Sequence, residues 1–139
     1  PVALFFGYTD CPDVCPMTLT LLANALDGVG DRGLDTAALQ IIFVTVDAER
    51  DTPEQLAAYL SLFDTEVTGL NGSSEALVKV QRDFGAYASR VEREDGVVLW
   101  DHTATVYLYD ADGRFTGTIM FNEPPEFVTE KLARLFQAG

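Results

Sequence analysis

Two patterns of apolar positions alternate along the chain: short apolar runs and longer stretches with helical spacing. Val2 to Phe6 (VALFF) and Leu39 to Val46 (LQIIFVTV) are runs of strand length, the signature of strands covered on both faces in a parallel sheet. Between them, apolar residues from Met17 to Val29 recur on several faces, and Pro16 suits the first helical position, where its missing N–H costs nothing. Thr52, Pro53 and Gln55 form a capping-box pattern ahead of Leu56, Leu60 and Phe63, so a helix is expected there. Another is expected through Leu77, Val80, Phe84 and Tyr87. Thr103 to Tyr109 and Phe115 to Phe121 are β-rich runs joined by Asp110-Ala111-Asp112-Gly113-Arg114, whose Asp-Gly dipeptide marks a hairpin turn. A last helix, after Pro124-Pro125, carries Val128, Leu132, Leu135 and Phe136 on one side.

The order is parallel βαβ followed by antiparallel ββα, which predicts an α/β, thioredoxin-like fold with helices on both faces of the sheet. With 139 residues, 47% of them hydrophobic, one domain over 1–139 is expected. In an open sheet of this kind ligands bind beyond the carboxyl ends of the parallel strands, here the loop after Val2 to Phe6. No apolar run approaches the ~20 residues of a membrane span. The chain enters its first strand at once, without an initiator Met or signal-like segment, so an anchor or signal is expected upstream of it.

Charge narrows the partners. Twenty-two acidic against nine basic residues leave a net charge of −13, a field that repels phosphate backbones and anionic headgroups, so nucleic acid is excluded as a partner. The acidic residues are scattered, as for a solubilising surface, with docking of a basic partner as the other reading.

The candidate chemistry is sparse and therefore specific. The chain has two cysteines, Cys11 and Cys15, and one histidine, His102. Both thiols lie between a strand end and a helix start, where amide N–H groups and the helix dipole favour thiolate. Their spacing permits shared chelation or a disulfide; an inert or structural pair is the alternative, although so short a loop gives a disulfide little entropic leverage. His102 alone reads as structural. The topology changes that, because the loop entering the predicted hairpin faces the loop after the first strand, bringing His102 against Cys11 and Cys15. Structural zinc normally takes four protein ligands, whereas two thiolates and one imidazole suit copper, above all Cu(I), with Cu(II) left open. Asp47, at the end of the second strand, is expected either to contact the ligand residues or to be a solvated loop carboxylate. Tyr8 and Trp100 read equally as shields of the site and as packing.

These residues resemble the Sco/SenC family of copper-binding thioredoxin-like proteins over almost the whole chain. The resemblance runs through FGYTDCPDVCP (Phe6 to Pro16), VTVDAERDTPEQ (Val44 to Gln55), the GLNG of the Tyr59 to Gly72 stretch, and DHTATVYLYDADG (Asp101 to Gly113). It implies that Cys11, Cys15 and His102 are the metal ligands and that the protein helps assemble the CuA centre of cytochrome c oxidase, with oxidase subunit II or another copper donor or acceptor as partner. It also implies a monomer held by an upstream anchor at the periplasmic face of a bacterial inner membrane or in the mitochondrial intermembrane space. Ala48 and Ala111 replace prolines common in the family, Asp10 precedes the first Cys where other residues are common, and the family's hairpin before the first strand is missing.

Two functional classes follow. In the first the protein is a copper metallochaperone. In the second it is a thiol-disulfide oxidoreductase using Cys11 and Cys15 to reduce an acceptor's cysteines before metallation. The extra residue relative to Cys-x-x-Cys and the absence of a preceding Trp weigh against the second. A peroxidase of peroxiredoxin type lacks its Thr-x-x-Cys, since Tyr8 and Pro12 stand three residues before the cysteines. A redox or copper sensor is not distinguished by sequence.

Overall fold

The computed structural model describes residues 1–8, 14–47, 50–63, 66–83, 88–92, 98–102, 105–120 and 123–137, with backbone alone at 14–16, 74, 88–92, 98–102 and 137. In chain order these form β1 (Val2–Gly7), α1 (Val14–Asp31), a 3-10 turn (Thr36–Ala38), β2 (Gln40–Thr45), α2 (Pro53–Leu60) and β3 (Val67–Leu70). They continue with α3 (Ser74–Asp83), β4 (Ala88–Glu92), β5 (Val98–His102), β6 (Val106–Tyr109), β7 (Phe115–Ile119) and α4 (Pro125–Gln137).

The unbroken apolar runs become the centre of the sheet, because a strand flanked by strands and covered on its faces has no side that must be polar. The sheet order is β3-β2-β1-β6-β7. β1 pairs in parallel with β2, and β2 with β3; β6 is antiparallel to β1, and β7 to β6. Phe5 and Phe43 lie opposite each other in the β1/β2 register, and their rings meet edge to face at 5.2 Å, a geometry favoured by the ring quadrupoles. Phe6, Leu19, Leu22, Ile119, Val128 and Leu132 are fully buried around this centre, so α1 and α4 supply much of the core with the strands.

Most expected elements are present, with shifts that have physical causes. α1 begins at Val14, so Pro16 is its third residue; the first four helical N–H groups lack an intrahelical acceptor, and a proline there still removes nothing. The helix closes where the Gly33 N–H reaches the Gly30 carbonyl at 2.9 Å, with Gly33 at φ 82°, a backbone state that glycine adopts without steric cost. Thr52 caps α2 by accepting from the Gln55 N–H at 3.3 Å, with Pro53 in the first turn. β6 and β7 are shorter than the β-rich runs suggested, spanning 106–109 and 115–119; residues 103, 104 and 121 lie outside the described residues. The turn between β6 and β7 closes with the Gly113 N–H on the Asp110 carbonyl at 3.0 Å.

Three strands were not expected. β3 is a four-residue edge strand that alternates half-buried and exposed positions, and α2 lies directly on it: a methyl group at Gly69 would sit 2.9 Å from Leu60 Cδ1 and 3.3 Å from Leu56 Cβ. β4 and β5 pair with each other in a separate antiparallel ribbon. The described part of the helix expected through Tyr87 runs to Asp83, and the chain is strand from Ala88; Phe84 and Tyr87 lie outside the described residues.

Candidate metal centre

The parallel strands end together. Gly7 stands opposite Thr45 in the β1/β2 register, and the Val46 N–H extends the pairing by donating to the Gly7 carbonyl at 2.8 Å. Tyr8 follows, buried, so this aromatic side chain packs into the interior. Cys11 lies outside the described residues. Cys15 is the second residue of α1, at the helix end where unpaired N–H groups and the macrodipole stabilise thiolate.

His102 enters the same edge by a different route from the one expected. It is the last residue of β5, in register with Ala88 of β4, instead of a loop residue. Val106 opens β6 four residues later, and β6 runs antiparallel to β1 with Tyr107 opposite Leu4, so β6 starts at the carboxyl end of β1. Four residues span at most about 14 Å. The backbone carrying His102 and the backbone carrying Cys15 are thus each joined through a short segment to strands of one sheet, β6 and β1.

Asp47 belongs to that edge and is buried, 6% exposed, which corrects the expectation of a solvated loop carboxylate. Its N–H donates to Thr45 Oγ1 at 3.0 Å, and its Oδ2 lies 3.8 Å from Arg50 Nε. The Thr45 hydroxyl in turn donates to Asp51 Oδ2 at 2.6 Å, and the Asp51 N–H returns to the Asp47 carbonyl at 3.0 Å. Asn71, just past β3, donates its amide to the Asp51 carbonyl and accepts from the Gly72 N–H at 2.6 Å. The sequence pattern singles out Thr52, Pro53 and Gln55 in this segment and not Asp51, so the ring was missed. Its signal was present: a Thr and an Asp six residues apart bracketing a strand exit, with an Asn-Gly pair after the next strand.

Among the described residues no three His, Cys, Asp or Glu side chains gather closely enough to hold a metal ion. The side chains of Cys11, Cys15 and His102 lie outside the described ones, and the described fold offers no rival to them. The donor set of two thiols and one imidazole fits a soft metal, as ligand type rather than charge decides selectivity here. Met17 in the first turn of α1, Leu70 at the end of β3 and Met120 just after β7 are exposed apolar side chains on the elements that border this edge. The Thr105 hydroxyl donates to the Met120 sulfur at 3.8 Å.

A mixed five-stranded sheet with a cysteine-bearing helix start at its carboxyl edge defines a thioredoxin-like protein. The family model described as SCO1/SenC matches residues 1–137, and the chain belongs to that family. The mitochondrial SCO2 homologue of Danio rerio is 39% identical over 115 residues, which cover 82% of this chain and 41% of that protein. Protein SenC of Rhodobacter capsulatus is 33% identical over 138 residues, covering 99% of this chain and 61% of SenC. The chain therefore spans less than two thirds of these relatives.

Two similar solved structures hold copper. Bradyrhizobium japonicum ScoI with copper bound is 40% identical and superposes with a TM-score of 0.83, covering 96% of this chain and 83% of that one. Arabidopsis thaliana ScoI with copper bound is 32% identical with a TM-score of 0.89, covering 99% and 84%. Copper, the metal expected from the donor set, is thus the metal these relatives carry.

Proposed function

We propose that this chain is a copper metallochaperone that binds one copper ion through Cys11, Cys15 and His102 and transfers it to an acceptor protein during assembly of the CuA centre of cytochrome c oxidase. The observation that carries the reading is a coincidence of scarcity and place: the chain's two thiols and one imidazole all fall in segments attached to the carboxyl edge of β1, and relatives of this fold hold copper.

The chemistry follows from that donor set. Two thiolates and an imidazole satisfy Cu(I) at low coordination number and leave it open to an incoming ligand. A thiolate of the acceptor can then join the metal before a donor thiolate leaves, so copper moves without being released into water. Exposed Met17, Leu70 and Met120 border the same edge and give the acceptor an adaptable apolar surface to dock on. Asp47 acts from the adjoining strand end, where its buried carboxylate influences the field at the ligands.

The thiol-disulfide reading keeps support from the helix-start position of Cys15, which lowers thiol pKa. In that reaction a thiolate of the Cys11/Cys15 pair attacks an acceptor disulfide, a mixed disulfide forms, and the second thiol resolves it. The acceptor gains two thiols and Cys11 and Cys15 become a disulfide.

We infer that the protein works as a monomer on the periplasmic side of a bacterial inner membrane or in the mitochondrial intermembrane space. The mitochondrial relatives and a solved SCO1/SenC family lipoprotein from Bacillus anthracis, 27% identical with a TM-score of 0.76, support that placement. Among the described residues no helix is long and apolar enough to cross a membrane.

The test is a transfer assay. Copper-loaded protein is mixed anaerobically with a reduced, copper-free domain carrying a two-cysteine copper site, and the two are separated and analysed for metal. Copper on the acceptor supports the metallochaperone; copper retained by the donor contradicts it. Reduction of the oxidised acceptor domain by the copper-free protein instead supports thiol exchange.

A further inference from the structure

We propose that Thr45, Asp51 and Asn71 are positioning residues for the thiol-bearing segment, holding the strand end that it follows. The inference rests on the metal-site reading above for its copper readout, and has a second readout that does not need copper.

The geometry is a closed ring of hydrogen bonds with two outward ties. Within the ring, the Thr45 hydroxyl donates to Asp51 Oδ2 at 2.6 Å, the Asp47 N–H donates to Thr45 Oγ1 at 3.0 Å, and the Asp51 N–H donates to the Asp47 carbonyl at 3.0 Å. One tie runs to β1, from the Val46 N–H to the Gly7 carbonyl at 2.8 Å. The other runs to the segment after β3, from the Asn71 amide to the Asp51 carbonyl. Thr45 is 0% and Asp51 1% exposed.

Burial explains why the ring is stiff. A buried carboxylate must keep its hydrogen bonds, because the alternative is an unsatisfied charged group away from water. Asp51 therefore fixes the Thr45 rotamer, Thr45 fixes the Asp47 amide, and the peptide between them carries the N–H that grips Gly7. Gly7 is the last residue of β1, four before Cys11. Groups that hold ligand-bearing segments in place commonly contribute 10- to 100-fold to metal affinity without touching the metal. The ring also spans three parallel strands, so slack at Asn71 reaches β1 through the same bonds.

The experiment compares the wild-type protein with Thr45→Val, Thr45→Ser and Asn71→Ala. Thr45→Val keeps shape and removes the donor, Thr45→Ser restores it, and Asn71→Ala cuts the tie from a half-buried position, so it carries the test if Thr45→Val does not fold. Two quantities are measured on folded protein: Cu(I) affinity by competition with a chromophoric chelator, and the iodoacetamide alkylation rates of Cys11 and Cys15 in reduced copper-free protein. Expected are an affinity loss of about tenfold and a severalfold change in alkylation rates in Thr45→Val and Asn71→Ala, both returning towards wild type in Thr45→Ser. Wild-type affinity and alkylation rates in both truncated variants, whatever their melting temperatures, would overturn the proposal and leave the ring a purely stabilising feature. If wild-type protein binds no Cu(I) while the alkylation rates still shift, the copper reading fails and the positioning of the thiols stands.

Discussion

The Val46 N–H meets the Gly7 carbonyl at 2.8 Å, so the second parallel strand grips the first at its last residue, four before Cys11. β1 is the central strand of the sheet, and at its carboxyl end Gly7 stands in register with Thr45 of β2.

The packing of α2 on β3 gives a prediction about the sheet edge. A side chain at Gly69 meets Leu60 and Leu56 at 2.9 and 3.3 Å; the Leu60 tip can rotate away, but Leu56 Cβ is fixed to the helix. Gly69→Ala is expected to cost on the order of 1 kcal/mol, overpacking being partly offset by the lower entropy of the unfolded chain. Urea unfolding should show a lower midpoint at unchanged slope; a raised midpoint would mean that α2 does not bear on the strand.

The core predicts a larger effect at Phe43. This ring is fully buried and contacts Phe5 at 5.2 Å and Tyr59 at 6.3 Å. Phe43→Ala should cost about 3–5 kcal/mol, a large share of the roughly 5–15 kcal/mol typical of whole-domain stability. Guanidinium unfolding monitored by circular dichroism measures it, and a loss under about 1 kcal/mol would contradict the assigned centre of the core.

At the start of α2, Thr52 accepts from the Gln55 N–H at 3.3 Å. Thr52→Ala should lower stability by about 1 kcal/mol, whereas Thr52→Ser or Thr52→Asp should retain most of it. Equal losses in all three variants would show that the hydroxyl is not the cap.

Alkaline pH offers a separate handle. Burial raises the Tyr107 phenol above its ordinary value, with the neighbouring Tyr109 adding to the effect, and burial raises Tyr109 as well. A raised folded-state value means that the contribution to stability is fully present below the unfolded tyrosine pKa of about 10 and is lost as pH climbs through the folded one. Melting temperature should therefore hold steady to about pH 9 and fall beyond pH 10, and Tyr107→Phe should fall less steeply. Identical slopes in the two proteins would contradict the burial of this phenol.

How far the chain could be read before its structure follows from the range of each signal. The unbroken runs at β1 and β2 and the Thr52-Pro53-Gln55 cap are local patterns, and they produced the elements expected of them. β3 escaped because four residues alternating around Gly69 carry too little apolar weight to stand out. The β4/β5 ribbon escaped although Asp95-Gly96 lies between its strands, because the helical spacing of Leu77, Val80, Phe84 and Tyr87 reads almost up to its first strand at Ala88. Cys11, Cys15 and His102 stood out as candidates by scarcity, since the chain holds no other thiol or imidazole. The ring of Thr45, Asp47 and Asp51 and its tie from Asn71 were passed over because their longer bonds join residues 6 and 20 positions apart, so the Thr, Asp and Asn-Gly signals read as unrelated within their own segments.

The central claim is that Cys11, Cys15 and His102 together hold one copper ion, and anaerobic Cu(I) titration of the reduced protein against a competing chelator tests it most directly. The account predicts one tightly held copper per chain, loss of that binding in Cys11→Ser and Cys15→Ser, and an affinity at least about tenfold weaker in His102→Ala, the scale on which a single ligand or its support acts. Affinity unchanged in His102→Ala would remove the imidazole from the site, and binding that survives both cysteine variants would contradict the account.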